Sequence, residues 1–109
     1  MILRSWRARA AADRAHLYPE HLVGAVLPRL RTLPGFLGAY LLRRVEGDEV
    51  EFVVQTLWAS MAAVEQFAGP TPELAVVEPA ARAALTSYDA TVRHYDVLVS
   101  PSEPSAPST

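Results

Sequence analysis

Residues 21–44, HLVGAVLPRLRTLPGFLGAYLLRR, decide the fold. The first part of this stretch repeats aliphatic residues at helical spacing, and Leu33-Pro34-Gly35 is a stop signal for a helix. The second part, residues 36–44, is rich in aromatic and aliphatic side chains, which favour a β-strand. A helix that ends in a tight stop and is followed at once by a strand predicts an α+β domain.

Upstream of this stretch, the sequence predicts a first strand and the start of the helix. Residues 2–9 alternate in the way a strand does, and Asp13 is a candidate N-cap for a helix that runs to about Leu33. Pro19 and Pro28 interrupt this helix, because each lacks a backbone N–H and its ring crowds the carbonyl four residues earlier. We therefore expect a kinked or two-part helix, which either opens a cavity or is simply bent.

Downstream, a hairpin, a second helical region and a last strand complete the order. Gly47 and Asp48 lie between two β-rich runs and predict a hairpin whose returning strand covers residues 49–58. Ser60 is a candidate N-cap for a helix over residues 61–68. The remaining predicted elements are two short helices, from Thr71-Pro72 to about Val77 and from Pro79 to Leu85, and a strand over residues 91–99. The order β-α-β-β-α-β is the ferredoxin-like arrangement, an antiparallel sheet in which the first strand lies between the third and the fourth.

The second predicted strand is apolar on both of its faces. A regular alternation gives two sets, with Phe36, Tyr40 and Leu42 on one face and Leu37, Ala39 and Leu41 on the other. A sheet covered on one side only would normally carry polar residues on its open side. We therefore expect the second side to be covered by another copy of the chain, in a homodimer.

The composition excludes several classes of protein. The chain has 109 residues, enough for one domain, and its pI of about 5.9 disfavours binding to nucleic acid, which requires a basic surface. The absence of cysteine excludes a disulfide framework, a thiolate metal site and a cysteine nucleophile, and no lysine is present to form a Schiff base. No apolar run approaches the roughly 20 residues of a membrane span, so we expect a protein without membrane contact.

Two expectations concern the ends of the chain. Residues 1–99 are predicted to form the folded domain, because residues 100–109, SPSEPSAPST, contain no large apolar side chain and are typical of a disordered Pro/Ser tail. The start of the chain lacks the apolar segment of a secretory signal, which predicts a cytoplasmic protein.

Three stretches together resemble the antibiotic biosynthesis monooxygenase family. They are residues 21–44, residues 51–69, EFVVQTLWASMAAVEQFAG, and residues 92–99, VRHYDVLV. The resemblance implies a ferredoxin-like fold, two subunits that pack sheet against sheet into a dimeric α+β barrel, and a cavity between the first helix and the sheet. It also implies one of two activities. One is the cofactor-independent oxygenation of planar polycyclic phenols, and the other is the oxidative breakdown of haem.

The residues at the family's functional positions favour the first activity. Trp58 matches the tryptophan that ends the third strand in both groups. Haem-degrading relatives have an asparagine in the first strand, a second tryptophan in the following helix and a proximal histidine after it. This chain has Ser5, Phe67 and, over residues 74–77, no histidine. In the cofactor-independent group an asparagine is expected where this chain has Val54. Because the proximal histidine is missing, the resemblance implies that no cofactor is used. Haem is the less favoured alternative, with His16, His21 or His94 in place of that ligand.

Several side chains are candidates for the site. His21, near the predicted break of the helix, and His94, central on the last strand, are candidate bases, because a neutral imidazole near pH 7 can take a proton from an acidic phenol. Trp58 is the candidate catalytic aromatic, a cavity wall that stacks on the substrate. The candidate substrate-binding residues are Arg4, Trp6, Tyr18, Tyr40 and Tyr88. Each of these side chains has an alternative role in the core or in the sheet.

The sequence leaves several functions open. We expect a small homodimeric oxidoreductase that resembles cofactor-independent monooxygenases and acts on a planar aromatic or polyketide-like phenol. The alternatives are a non-redox cyclase, isomerase or lyase on a similar substrate, and a non-enzymatic barrel that binds a small molecule. No metal site is predicted, since His16 and His21 are five residues apart and do not form the i, i+4 pair of a metal-binding helix.

Overall fold

A five-stranded antiparallel sheet carries the fold. The computed structural model describes residues 1–101, so the predicted tail lies outside the described residues from residue 102 onward. The strands are β1 (Ile2–Ala11), β2 (Phe36–Glu46), β3 (Glu49–Trp58), β4 (Ser87–Tyr88) and β5 (Arg93–Asp96). Their order is β2-β3-β1-β4, and β5 also pairs with β1. The ferredoxin-like prediction is confirmed, because β1 lies between β3 and the last strands.

The last strand is shorter than predicted and follows a separate short strand. We expected one strand over residues 91–99, whereas β5 ends at Asp96 and β4 pairs with β1 on its own. Between these two strands the chain leaves the edge of β1, because the Val92 N–H donates a hydrogen bond to the carbonyl oxygen of Glu73 (2.8 Å). The predicted strand therefore begins two residues late, at Arg93, after a contact with a distant part of the chain, and β4 precedes it as an additional strand that was not predicted.

The predicted two-part helix is confirmed in a more irregular form. Helix α1 (Leu17–His21) leads into a π-helical segment (Leu22–Val26) and then into α2 (Leu27–Leu30). The wider π-helical turn lies just before Pro28, which has no N–H to donate to the carbonyl four residues earlier. The proline therefore accounts for the position of the irregular turn.

The predicted N-cap at Asp13 is wrong. Ala12–Arg14 forms a 3-10 turn, and α1 begins only at Leu17, without a side-chain cap. Pro19 lies in the first turn of α1, where backbone N–H groups have no intrahelical partner. A helix that begins here loses no hydrogen bond to the proline, which explains why it starts later than expected.

Two of the three helices predicted after β3 are present. Helix α3 (Met61–Ala68) begins at the predicted cap, where the Ser60 hydroxyl accepts a hydrogen bond from the Ala63 N–H (3.2 Å). Helix α4 (Pro79–Ala84) begins at the predicted proline. These short helices cover the same side of the sheet as α1 and α2.

The helix predicted from Thr71-Pro72 to Val77 is wrong. Leu74 pairs with Thr91 in an isolated β-bridge, and the Ala75 N–H donates to the carbonyl oxygen of Ala90 (3.0 Å). These bonds to the chain before β5 satisfy backbone groups that a helix would have paired internally. The segment is therefore irregular, and it is held by contacts that no local pattern reports.

A β-bulge at the start of β2 changes which residues share a face. The register shifts between Phe36 and Gly38, so that Phe36 lies opposite Trp58 on the side covered by the helices. Tyr40 and Leu42 lie on the other side. The grouping of Phe36 with Tyr40 and Leu42 is therefore wrong, because an extra residue in one strand reverses the alternation.

The sheet has one covered face and one open face. The largest fully buried side chains are Phe52 and Trp58 of β3, with Val64 of α3 packed over them on the covered face. The open face keeps large apolar side chains exposed, among them Tyr40 and Leu42. None of the helices within residues 1–101 has the length and apolar character that a membrane crossing requires.

A cluster of charged side chains lies on the open face. Arg9 of β1 lies 2.9 Å from a carboxylate oxygen of Glu46, 3.9 Å from one of Glu49 and 3.6 Å from one of Glu51. This cluster joins the central strand to both strands of the hairpin. Partly exposed ion pairs of this kind contribute little singly, and their effect depends on the network that they form.

Candidate active site

A cavity of about 250 Å³ lies between the covered face of the sheet and the broken helix. Strands β1 and β3 form its floor, and α1, the π-helical segment and α2 form one wall. A second wall comes from Phe67 of α3 and from residues 73–78, which we name the roof segment. The broken helix therefore borders a cavity. This is one of the two outcomes that the sequence left open, the other being a helix that is simply bent.

His21 reaches the cavity from the end of α1 and contacts Glu78 of the roof segment. The His21 Nε2 and Glu78 Oε1 atoms are 3.2 Å apart, and Arg29 donates a hydrogen bond of 2.6 Å to the other carboxylate oxygen. The hydrogen bond from Arg29, together with the nearby His21, lowers the pKa of Glu78. His21 therefore lies beside a carboxylate that is ionised at neutral pH.

The Arg4 guanidinium belongs to the floor of the cavity and is almost entirely buried. Its Nη2 donates a hydrogen bond to the carbonyl oxygen of Leu74 (3.0 Å), and its Cζ lies 5.5 Å from the centre of the Phe67 ring. Burial lowers the pKa of Arg4 to about 10, which still leaves it charged at neutral pH. The floor thus presents a cation among mainly apolar side chains.

Aromatic rings line the cavity beside Arg4. The ring centroids of Trp6 and Tyr18 are 6.0 Å apart, and the Trp6 Nε1–H donates to the carbonyl oxygen of Asp89 (2.7 Å), which fixes the indole. Burial raises the pKa of the Tyr18 hydroxyl, so it stays protonated and can donate a hydrogen bond. This part of the cavity suits a flat aromatic ligand that carries an oxygen.

Arg4, Trp6, Tyr18 and His21, all predicted for the site, line the cavity together. The alternation of β1 puts Arg4 and Trp6 on the same face of the sheet. Tyr18 and His21 are three residues apart and so lie on the same face of α1. Two local periodicities were therefore enough to bring these four side chains to one place.

Trp58, Tyr40 and Tyr88 lie outside the cavity lining. Trp58 is fully buried behind it, where its Nε1–H donates to the Thr56 hydroxyl (2.8 Å) and its ring stacks on Phe67 with centroids 5.8 Å apart. Tyr40 is on the open face of the sheet. Tyr88 is partly exposed, and its ring centroid is 6.1 Å from that of Trp6.

His94 also lies outside the lining, directly opposite Arg4 in the pairing of β1 with β5. Its Nε2 is buried and has no hydrogen-bond partner among the described residues. Burial, and then the charge of Arg4, lower the pKa of His94. His94 is therefore a neutral neighbour of Arg4 rather than a group that borders the cavity.

The sequence did not identify Glu78, Arg29 or Phe67 as residues of the cavity. Arg29 lies about two helical turns after His21 and so shares its face, which was a usable signal. Glu78 immediately precedes Pro79 at the start of α4, which predicted only a helix terminus. The contact between Glu78 and the first helix joins residues far apart in the chain, and no spacing rule predicts it.

These features define a class of protein, a small α+β domain with a ligand cavity between a broken helix and the covered face of an antiparallel sheet. The sequence model of the antibiotic biosynthesis monooxygenase family matches residues 1–71, and the chain belongs to this family. A search of the curated proteins finds no match to the chain.

Solved structures share the fold over almost the whole chain. A Bacillus cereus protein assigned to the antibiotic biosynthesis monooxygenases is 17% identical with a TM-score of 0.67, covering 96% of this chain and 98% of that chain. SnoaB, a cofactor-independent oxygenase from Streptomyces nogalater, is 14% identical with a TM-score of 0.57, covering 94% and 96%. MhuD, a haem degrader from Mycobacterium tuberculosis with two haems bound in its active site, is 26% identical with a TM-score of 0.57, covering 92% and 98%.

Proposed function

We propose that this protein is a cofactor-independent monooxygenase that acts on a planar polycyclic phenol. The observation that carries the proposal is the pairing of His21 with Glu78 at a cavity lined by aromatic rings. A histidine beside a carboxylate is suited to act as a general base, because the carboxylate stabilises the imidazolium that forms. Membership of the family supports the same class of activity.

The proposed reaction uses dioxygen as the oxidant. Because the Nε2 atom of His21 faces Glu78, its Nδ1 atom takes the hydroxyl proton of the phenol, and the resulting anion passes one electron to dioxygen. The two radicals combine at a ring carbon, and the peroxide takes the proton back from His21. Loss of water then leaves a carbonyl. For the overall balance the phenol is written in its keto form, in which the reacting carbon is a CH₂ group. This CH₂ and O₂ become C=O and H₂O. One oxygen atom therefore enters the product, and the other leaves as water.

The dimensions of the cavity support a ligand of two or three fused rings. A volume of about 250 Å³ is just below the roughly 300–1,000 Å³ of small-molecule pockets, which favours a compact ligand. In this arrangement Trp6 and Tyr18 contact the rings of the substrate, and Tyr18 donates to one of its oxygens. We assign Trp58 a supporting role, since Phe67 and Thr56 lie between its indole and the cavity.

Haem breakdown is the second candidate, because MhuD is a haem degrader and is 26% identical to this chain. The residues of the cavity do not fit haem. Where the resemblance expects a proximal histidine, the roof segment lines the cavity with Ala75 and Val76, whose side chains cannot bind iron. His21, the histidine of the lining, has its Nε2 against Glu78. No step of the proposed reaction therefore involves haem.

We also propose that two copies of the chain assemble as a homodimer through their open sheet faces. Tyr40 is 48% exposed, Leu42 43% and Tyr95 48%, and all three lie on that face. An apolar face of this kind is a usual site of association. The cavity lies on the other side of the sheet, so each copy keeps its own site.

Oxygen uptake with a panel of anthrones and naphthols tests the proposed activity. His21→Gln removes the proton acceptor at similar size, and we expect turnover to fall by about 10²- to 10⁴-fold. His16→Gln is the matched control, because His16 is exposed and lies outside the cavity lining; it is expected to keep the turnover of the unmodified protein.

The other possible results of this experiment distinguish between the candidate functions. An absence of oxygen uptake with every phenol, or equal turnover in His21→Gln and in the unmodified protein, contradicts the proposal. Product formed in the absence of oxygen indicates a non-redox enzyme. Uptake that requires added haemin indicates the second candidate.

A further inference from the structure

Arg4 is a buried cation without a counter-ion. Arg4 is 4% exposed, and no carboxylate of the described residues lies within 4 Å of its guanidinium. Nη2 has a carbonyl partner, Leu74, whereas Nη1 is buried and has no hydrogen-bond partner. Burial of a charge without a counter-ion is costly, and the contact of the guanidinium with the Phe67 ring offsets only part of that cost.

The charges around the cavity are unequally balanced. Glu78 is balanced by Arg29, which donates to it at 2.6 Å, and His21 adds a contact to the same carboxylate. No comparable partner serves Arg4. Across the strands burial and then the charge of Arg4 lower the pKa of His94, while the charge of Glu73 acts in the opposite direction, so His94 is neutral and adds neither a competing charge nor a compensating one. Glu73 forms no ion pair with Arg4. The cavity therefore has one uncompensated cation.

We propose that Arg4 forms an anion-binding subsite and that the ligand of the cavity is a planar aromatic molecule with an ionised oxygen, a carboxylate or a phenolate. The guanidinium supplies the charge and an unpaired N–H, and the rings of Trp6 and Tyr18 hold the aromatic part. This inference rests on the proposed function in one respect, since it names the class of molecule that the same cavity takes. It does not depend on oxygenation.

Binding of matched charged and neutral ligands tests the subsite without any reaction. 2-Naphthoate and 2-naphthamide have nearly the same shape and differ in charge, and isothermal calorimetry gives their Kd values at pH 7.5. Ionised 4-nitro-1-naphthol and its methyl ether form a second pair, which distinguishes a phenolate subsite from a carboxylate subsite. We expect the unmodified protein to bind at least one anion about 10- to 100-fold more tightly than its neutral partner.

Substitution of Arg4 should abolish this preference. Arg4→Met removes the charge at similar length and is expected to fold, because it removes a buried cation with no partner. Its Kd values for the anion and the neutral partner are expected to become equal within about threefold, while the neutral ligand binds as before. Arg4→Lys, the second variant, is expected to keep a preference for the anion. Arg31→Met is the matched control, since Arg31 is exposed and outside the cavity lining.

Three results would overturn the inference. They are equal affinity of the unmodified protein for the members of both pairs, an unchanged preference in Arg4→Met, and a preference lost equally in Arg31→Met. If Arg4→Met does not fold, as judged by circular dichroism, the ligand pairs on the unmodified protein and on Arg4→Lys still decide. Preferential binding of the anion without oxygen uptake supports the subsite and contradicts the monooxygenase. Oxygen uptake with no preference for the anion supports the monooxygenase and contradicts the subsite.

Discussion

The indole of Trp58 and the ring of Phe67 are stacked, and only Phe67 borders the cavity. The Trp58 Nε1–H donates to Thr56, a buried hydroxyl on the same strand that belongs to the cavity floor. Phe36 contacts the indole edge-on, with centroids 5.2 Å apart. Trp58 thus supports two lining residues from behind, and the roles of the two aromatic residues can be separated by substitution.

Trp58→Phe is expected to reduce stability more than ligand binding. The change leaves a void beside Phe67 and removes the donor to Thr56, so the free energy of unfolding should fall by about 1–3 kcal/mol, measured by urea denaturation. Phe67→Leu, the companion variant, changes the cavity surface and should weaken binding of 2-naphthoate more than Trp58→Phe does. If folded Trp58→Phe loses turnover as completely as His21→Gln, the indole takes part in the chemistry directly.

Individual residues were predictable where a local period governs them. The alternation of β1 predicted that Arg4 and Trp6 share a face, and a helical spacing joined Tyr18 to His21. Tyr40 was not predictable, because the bulge before it reverses the alternation of β2 and leaves no clear mark in the sequence. Glu78 was not predictable either, since its partners belong to the first helix and Arg29 is 49 residues away along the chain.

The broken first helix is the element on which the cavity depends most. Leu22 and Val26, at the two ends of the π-helical segment, both line the cavity, and α1 brings His21 to its edge. The two prolines predicted a break in this helix, but only the structure shows that the break is a π-helical turn. Its form depends on the packing of Leu22 against the core, which is a tertiary effect.

Two glycines near this helix should respond in opposite ways to alanine. A Cβ at Gly24 meets no atom within 4 Å, so Gly24→Ala is expected to raise the free energy of unfolding by about 0.5–1 kcal/mol. Gly35 has φ +84°, and a Cβ there would lie 2.6 Å from that of Ala63. Gly35→Ala should therefore lower the free energy of unfolding by more than about 1 kcal/mol.

Chemical denaturation of the two glycine variants and the unmodified protein measures both changes, and each variant is the control for the other. Destabilisation by Gly24→Ala would mean that the π-helical turn requires glycine. A neutral Gly35→Ala would mean that α3 can move away from the start of β2 without cost.

At the scale of the whole molecule, residues 1–101 leave one face of the sheet without a covering layer. Leu42→Arg puts a charge on the face of the proposed dimer contact, and we expect it to shift the protein from dimer to monomer in sedimentation velocity runs. Val45→Arg is the matched control, because Val45 is on the same strand, 64% exposed, but paired with Val50 on the opposite side of the sheet. Monomeric unmodified protein, or dimeric Leu42→Arg, contradicts the proposed contact.

The architecture as a whole was more predictable than its details. The order of strands and helices, the central β1 and the cap at Ser60 follow from periodicity and from stop signals along the chain. The roof segment was predicted as a helix, because Thr71-Pro72 is a good local start signal. Its backbone instead forms hydrogen bonds with the chain before β5. Whether these bonds or the internal bonds of a helix form depends on the complete fold, which a local start signal does not report.

Backbone bonds help to fix the roof segment beside the cavity. The Leu74–Thr91 bridge and neighbouring backbone bonds hold it, while the side chains of Ala75 and Val76 reach the cavity. Substitutions at these two positions alter the size and polarity of the site, yet they break no pairing between the strands. After gene duplication, one or two substitutions here reshape the cavity of one copy, while both copies inherit the same pairing of strands.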